Sequence, residues 1–140
     1  MSDNTTTFLL EIVTPQRRLL SMEVEEATAP GQEGEFGVLP QHTPFLTVLK
    51  PGEVAFRKGA ETGVLAVGRG YAEVLPGKTT ILVDTAARES EIDLEAVRSE
   101  AQEAEAALGS LSQEDAAYAP AQDRLEYAQA RLRIKERARA

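Results

Sequence analysis

The chain has a single histidine, His42, and the residues around it invite a chemical reading. From Pro30 to Pro44 the sequence runs PGQEGEFGVLPQHTP, placing three glycines and three prolines close to two carboxylates, Glu33 and Glu35. A histidine acting as a general base needs a positioned partner and a nucleophile or substrate proton within reach. No serine motif accompanies it and the chain has no cysteine, so His42 reads as a turn or interface residue. Gly68-Arg69-Gly70 resembles half of a dinucleotide-binding loop, but a strand follows it where that motif needs a helix. The carboxylates of residues 89–105 read as a solvated helix face. With no thiolate and one imidazole, a zinc centre of the usual kind is excluded. No catalytic constellation emerges. What remains is the stiffness of the 30–44 segment: glycine opens conformations closed to other residues and proline fixes its own φ. Composition alone makes the segment a tight connection between two strands.

The elements that hold this segment are β-like through residue 88. Phe8 to Thr14 is an apolar run ended by Pro15. Leu19 to Ala29 reads as a second strand, with Met22, Val24 and Ala27 facing inward. Further strands are expected at Phe45–Leu49, Val54–Arg57, Val64–Val67, Tyr71–Leu75 and Thr79–Val83. Pro51-Gly52, Lys58-Gly59, Thr62-Gly63 and Pro76-Gly77 punctuate them as turns. Short strands at this spacing predict an antiparallel sandwich or barrel.

Beyond residue 89 the period changes to that of a helix. Leu94, Val97, Ala101, Ala104 and Leu108 follow at steps of three and four, with Ser90 or Asp93 as the cap and Gly109 at the exit. Tyr118, Ala121, Leu125, Ala128 and Leu132 form a second stripe. Pro120 either lies in the first turn of that helix or kinks one begun at Ser112. The expected architecture is therefore β + α: an antiparallel β-sandwich over 1–88, then an antiparallel two-helix hairpin over 89–140. An alanine-rich stripe buries little area per residue, so the hairpin must lean on the sandwich or on another protein. It is expected to be weakly held.

The net charge is −8, which argues against nucleic acid as a partner. That charge is unevenly placed. Residues 89–108 carry seven acids against Arg98, and residues 131–140 carry five bases against Glu136. The basic end complements the helix dipole, and it also suits an acidic partner surface. The N-terminal Met1–Thr7 lacks the basic start and apolar run of a signal peptide, and no apolar run approaches the roughly 20 residues that span a bilayer. The chain is expected to be soluble and to meet a membrane only through a partner.

Three segments, read in order, resemble the epsilon subunit of the bacterial F-type ATP synthases, the counterpart of mitochondrial delta. The glycine-rich turn continues into Leu39-Pro40-Gln41-His42-Thr43-Pro44-Phe45-Leu46-Thr47-Val48-Leu49-Lys50-Pro51-Gly52-Glu53-Val54, similar to the family's LPxHxPxLTxLxPGxV. Val67 to Val74 is similar to a family strand with paired glycines ahead of an apolar-x-Glu-Val. Val83-Asp84-Thr85-Ala86 leads into Ile92-Asp93 at the hairpin. The resemblance implies a non-catalytic, cofactor-free rotor component bound to a gamma subunit and standing on a ring of c subunits. It implies a peripheral place on the cytoplasmic side of the bacterial inner membrane. Glu35, with His42, would face the c ring. The hairpin would extend to restrain ATP hydrolysis, with Arg124, Arg131, Arg133, Lys135 and Arg137 meeting acidic segments of the alpha and beta subunits.

Members that bind ATP in the hairpin show an apolar residue, Asp, two residues, then Arg-Ala. Here only Ile92 and Asp93 match; Ala96 occupies the arginine position and Arg98 comes two residues late, about 200° around a helix. ATP sensing is therefore not expected. The alternative function is a free-standing β-sandwich binding module that dimerises through its helices. An enzyme reading ranks last.

Overall fold

The computed structural model describes residues 6–139. Ala140 and Met1–Thr5, most of the segment read above for targeting signals, lie outside them. Ten strands precede two helices: β1 (Phe8–Val13), β2 (Arg18–Val24), β3 (Glu26–Gly31), β4 (Gly34–Val38), β5 (Phe45–Leu49), β6 (Gly52–Lys58), β7 (Glu61–Val67), β8 (Gly70–Leu75), β9 (Lys78–Val83) and β10 (Ala86–Arg88), then α1 (Leu94–Gly109) and α2 (Tyr118–Arg139). The strand order is β10-β7-β6-β3-β5-β8-β9-β1-β2, with β4 paired to β3. All pairings are antiparallel except β1 with β9. β2 comes back against β6 and β10, and the Arg88 guanidinium donates to the Leu19 carbonyl, so the sheet folds over on itself. The expected β-sandwich followed by a helical hairpin is the observed fold.

Period-two alternation builds the core. Phe8, Leu10 and Ile12 of β1, Ala72 and Val74 of β8, and Ile81 and Val83 of β9 point inward, joined by Leu19, Val24, Leu49, Val54, Leu65 and Val67. Two expectations need correction. The Leu19–Ala29 run is two strands, because the chain changes partner at Glu25: β2 pairs with β1, whereas β3 pairs with β4, β5 and β6. Glu25 is pinned there, its N–H donating to the Arg57 carbonyl at 2.8 Å and its carboxylate accepting from Arg57 and the Gly59 N–H. The 30–44 segment is also not one loop. Gly31 pairs with Gly34 across a two-residue turn, and β4 continues to Val38. Only Leu39–Pro44 is irregular, with Gln41 at a φ of 65° and its N–H donating to the Pro76 carbonyl.

Asp93 caps α1, its Oδ1 accepting from the Glu95 and Ala96 N–H groups. Gly109 is the last residue of α1 without adopting a left-handed conformation, and Ser110 is the cap. Pro120 lies in the first turn of α2, where its missing N–H is harmless. α2 packs against α1 and also against β6 and β7. It therefore buries more than the single predicted stripe: Ala130 and Ile134 join Ala121 and Ala128. A second, smaller core results, made of Ala66, Ala87, Ile92, Val97, Ala128, Ala130 and Ile134. The hairpin rests docked on the sandwich.

Candidate partner-binding surfaces

The first surface is the glycine-rich end. A Cβ at Gly31 would lie 2.7 Å from the Gly34 carbonyl oxygen and 3.1 Å from the Phe36 ring, so only glycine lets the turn close this tightly. Phe36 packs edge-on against Phe45 at 5.3 Å between centroids, and the His42 ring lies 6.3 Å from Phe45. His42 Nδ1 is 2.6 Å from the Thr43 carbonyl. His42 is thus part of an aromatic brace that ties the irregular turn to β4. Glu35 neighbours Phe36 on a pleated strand and so points to the opposite face. It lines a 370 Å³ cleft shared with Lys50, Glu53 and, from α2, Glu126 and Arg133. The structure places Glu35 on the hairpin side of β4 and His42 with the aromatic brace.

The second surface escaped the sequence reading. Val48, Tyr71, Leu82 and Val13 lie opposite one another across β5, β8, β9 and β1. Tyr71 is 57% exposed, Leu82 48% and the neighbouring Leu46 71%. A groove of about 450 Å³ runs from the Gln32-Glu33 turn along Leu46, Val48 and Tyr71. An exposed apolar row on an outer sheet face is a candidate interaction surface. The available signal was the absence of alternation: Phe45-Leu46 and Ile81-Leu82-Val83 are apolar on both faces of their strands.

The third surface is the basic face of α2, and in the docked hairpin most of it is engaged by the chain itself. Arg131 lies over the Tyr127 ring at 4.1 Å and donates to Glu100 at 2.9 Å. Arg133 and Arg137 both donate to Glu53, and Lys135 donates to Glu89 at 2.7 Å. Burial opposes ionisation of Glu53, but the Arg137 and Arg133 guanidiniums outweigh it and hold the carboxyl below the ordinary glutamate range. Arg124 is exposed between the helices, lining a small cavity with Glu100, Glu103 and Ala104. Ile92 is buried in the second core and the Asp93 carboxylate is the α1 cap, so both have structural work in this state.

Gly68-Arg69-Gly70 finds its use here too. A Cβ at Gly70 would lie 2.0 Å from the Leu82 carbonyl oxygen, and one at Gly68 would lie 2.1 Å from Asp84 Oδ1. The two glycines let the β7–β8 link cross the start of the β9–β10 link in contact. Arg69 between them is thrown outward, where it grips Asp123 of α2 through two bonds of 2.8 and 3.0 Å. The motif is a docking device for the hairpin.

Among the described residues no group of three or more His, Cys, Asp or Glu is placed to hold a metal. The class is a β-sandwich carrying a docked helical hairpin. Residues 7–89 match the family described as ATP synthase, Delta/Epsilon chain, beta-sandwich domain, and the chain belongs to that family. The ATP synthase epsilon chain of Geobacter metallireducens is 49% identical over 125 residues, covering 89% of this chain and 91% of the relative. That of Geotalea uraniireducens is 47% identical over 129 residues, covering 92% and 94%. A chain in the cryo-EM structure of the Euglena gracilis mitochondrial ATP synthase (OSCP/F1/c-ring) has the same fold. It aligns with a TM-score of 0.77 at 24% identity, over 99% of this chain and 85% of that one. A chain from the Tetrahymena thermophila central stalk and c-ring aligns at 0.58 and 16% identity. The family resemblance read from the turn and the hairpin residues is borne out.

Proposed function

We propose that the chain is a non-catalytic rotor subunit of the central stalk of a bacterial F-type ATP synthase, passing rotation between ring and head without making a bond. The observation that carries this reading is the outer apolar row of Val13, Val48, Tyr71 and Leu82, which needs a protein partner. Its assigned partner is the gamma subunit. The end bearing the Gln32-Glu33 turn, Glu35 and His42 would meet the polar loops of the c ring. A turn braced by Phe36, Phe45 and His42 resists shear, which a torque-bearing contact requires. No helix among the described residues is long and apolar enough to cross a membrane, so attachment to the inner membrane, on its cytoplasmic side, would come through these partners. Leu82→Glu puts a charge into the covered row and should weaken binding to purified gamma subunit about 10- to 100-fold. Unchanged affinity would refute the assignment of this face.

The hairpin is proposed to restrain ATP hydrolysis when it leaves the sandwich, with Arg124, Arg131, Arg133, Lys135 and Arg137 meeting acidic segments of the alpha and beta subunits. Support comes from the thin alanine-rich docking core and from the clustering of bases on α2. Removing residues 89–140 should leave assembly intact and raise hydrolysis by the complex; the same rate after truncation would count against restraint. A module dimerising through its helices is less well supported, because Ala128, Ala130 and Ile134 are already buried on the chain's own second core.

A further inference from the structure

Glu53 stands on β6 and is gripped from α2 by two guanidiniums at once. Arg133 Nε donates to Oε2 at 2.9 Å and Arg137 Nη2 donates to Oε1 at 2.5 Å. The two arginines are one helical turn apart, so they present their charges from one face of α2. Their exposures differ from that of their partner: the Glu53 side chain is 20% exposed, the arginines 52% and 57%. An exposed ion pair contributes little, but a carboxylate drawn out of water and left alone is destabilising. With α2 docked, Glu53 is drawn largely out of water and its charge is met by both guanidiniums. The apolar part of the docking consists of Ala128, Ala130 and Ile134, with Tyr127 and Leu132 packed partly buried against them.

We propose that Glu53 is an internal acidic ligand for the basic end of α2, holding the hairpin on the sheet and withholding Arg133 and Arg137 from any acidic partner surface. The holding role stands on the geometry alone. The masking role rests on the acidic-partner reading given above. A carboxylate that occupies both guanidiniums competes directly with a second carboxylate for the same donors. The docked hairpin is in this sense occupied by its own chain, and an acidic partner must displace Glu53 before it can bind.

The test uses the full chain, with amide hydrogen exchange read by residue, and Glu53→Gln as the perturbation. Glu100→Gln serves as the comparison, since the Glu100–Arg131 pair lies within the hairpin and does not join it to the sheet. In E53Q the amides of residues 128–134 should exchange about tenfold faster, because two charge-assisted bonds lose their ionic character. Those of β1 and β9 should be unchanged, and E100Q should behave as wild type. Unchanged exchange in α2 overturns the proposal. If the sandwich amides also exchange faster, the charge swap Glu53→Arg with Arg133→Glu and Arg137→Glu decides: restored protection supports the latch and its absence overturns it. Poly-L-glutamate then probes masking, with E53Q expected to bind it several-fold more tightly than wild type. Faster exchange with unchanged poly-L-glutamate binding upholds the latch and overturns the acidic-partner reading.

Discussion

Replacing Ile134 by alanine should release the hairpin while leaving the sandwich folded. Ile134 is 2% exposed and is the largest side chain that α2 contributes to the second core. Loss of three side-chain carbons from a fully buried site removes roughly 2.4 kcal/mol of transfer free energy at about 0.8 kcal/mol per methylene. The unfilled space adds to this, giving a total of about 3–4 kcal/mol, within the usual range for such truncations. The remaining members of that core on α2 are Ala128 and Ala130, which bury little more than a methyl group each. Ile134 is thus the largest single apolar contribution to docking, beside the ion pairs that tie α2 to Arg69, Glu53 and Glu89. None of the sixteen residues of the main core, from Phe8 to Val83, lies in the hairpin. We therefore propose that residues 1–88 and 89–140 can unfold separately. The assay is residue-resolved NMR through a thermal ramp. In I134A, resonances of α1 and α2 should lose dispersion tens of degrees before those of β1, β8 and β9. One shared transition for helices and strands, shifted as a whole, would refute the reasoning and make the chain a single cooperative unit.

Acid should loosen the same docking through Glu53. Its pKa in the fold lies below the ordinary 4.5, so its contribution is complete above that value and is lost as pH falls through the depressed one. The methyl shifts of Ala128 and Ala130 should report this change, and it should vanish in E53Q; an identical acid response in the variant would assign it to another carboxylate. The Thr79 hydroxyl is 1% exposed and finds no hydrogen-bond partner in the sheet core. Thr79→Val keeps the shape and removes an unsatisfied polar group, so denaturant unfolding should show a gain of about 1 kcal/mol. A loss instead would reveal a partner for that hydroxyl, such as a buried water.

Turn dipeptides made β5 to β9 legible: Lys58-Gly59 and Pro76-Gly77 fall where one strand ends and its antiparallel neighbour begins, and Pro51-Gly52 falls where the chain leaves β5 for β6, two places along the sheet. The break at Glu25 carries no such mark. It is fixed by Arg57 and Gly59, more than thirty residues away. β4 was hidden because glycine and proline density signals irregular backbone, whereas here the glycines serve a two-residue turn. α2 showed one stripe because periodicity assumes one buried face, and a helix between a sheet and another helix has two. The candidate surfaces divide in the same way. The glycine-rich turn and the basic helix were visible as local composition. The apolar row exists only through strand register, and the Glu53 grip joins residues 80 and 84 positions apart.

The parallel pairing of β1 with β9 sets the order in which the protein can be made. β1 leaves the ribosome first, but Leu9 to Val13 must wait for Lys78 to Leu82 before both sides of the strand are paired. Until then the nascent chain carries an open apolar edge, with Phe8, Leu10 and Ile12 lacking much of their core. Closure over about seventy residues is slow compared with hairpin formation, and it exposes the growing chain to mispairing. Only after β9 emerges is the sheet able to close, and the helices that dock on it are synthesised last. Translation thus delivers a finished platform before the element that rides on it, and release before β9 is complete leaves one edge of β1 unpaired.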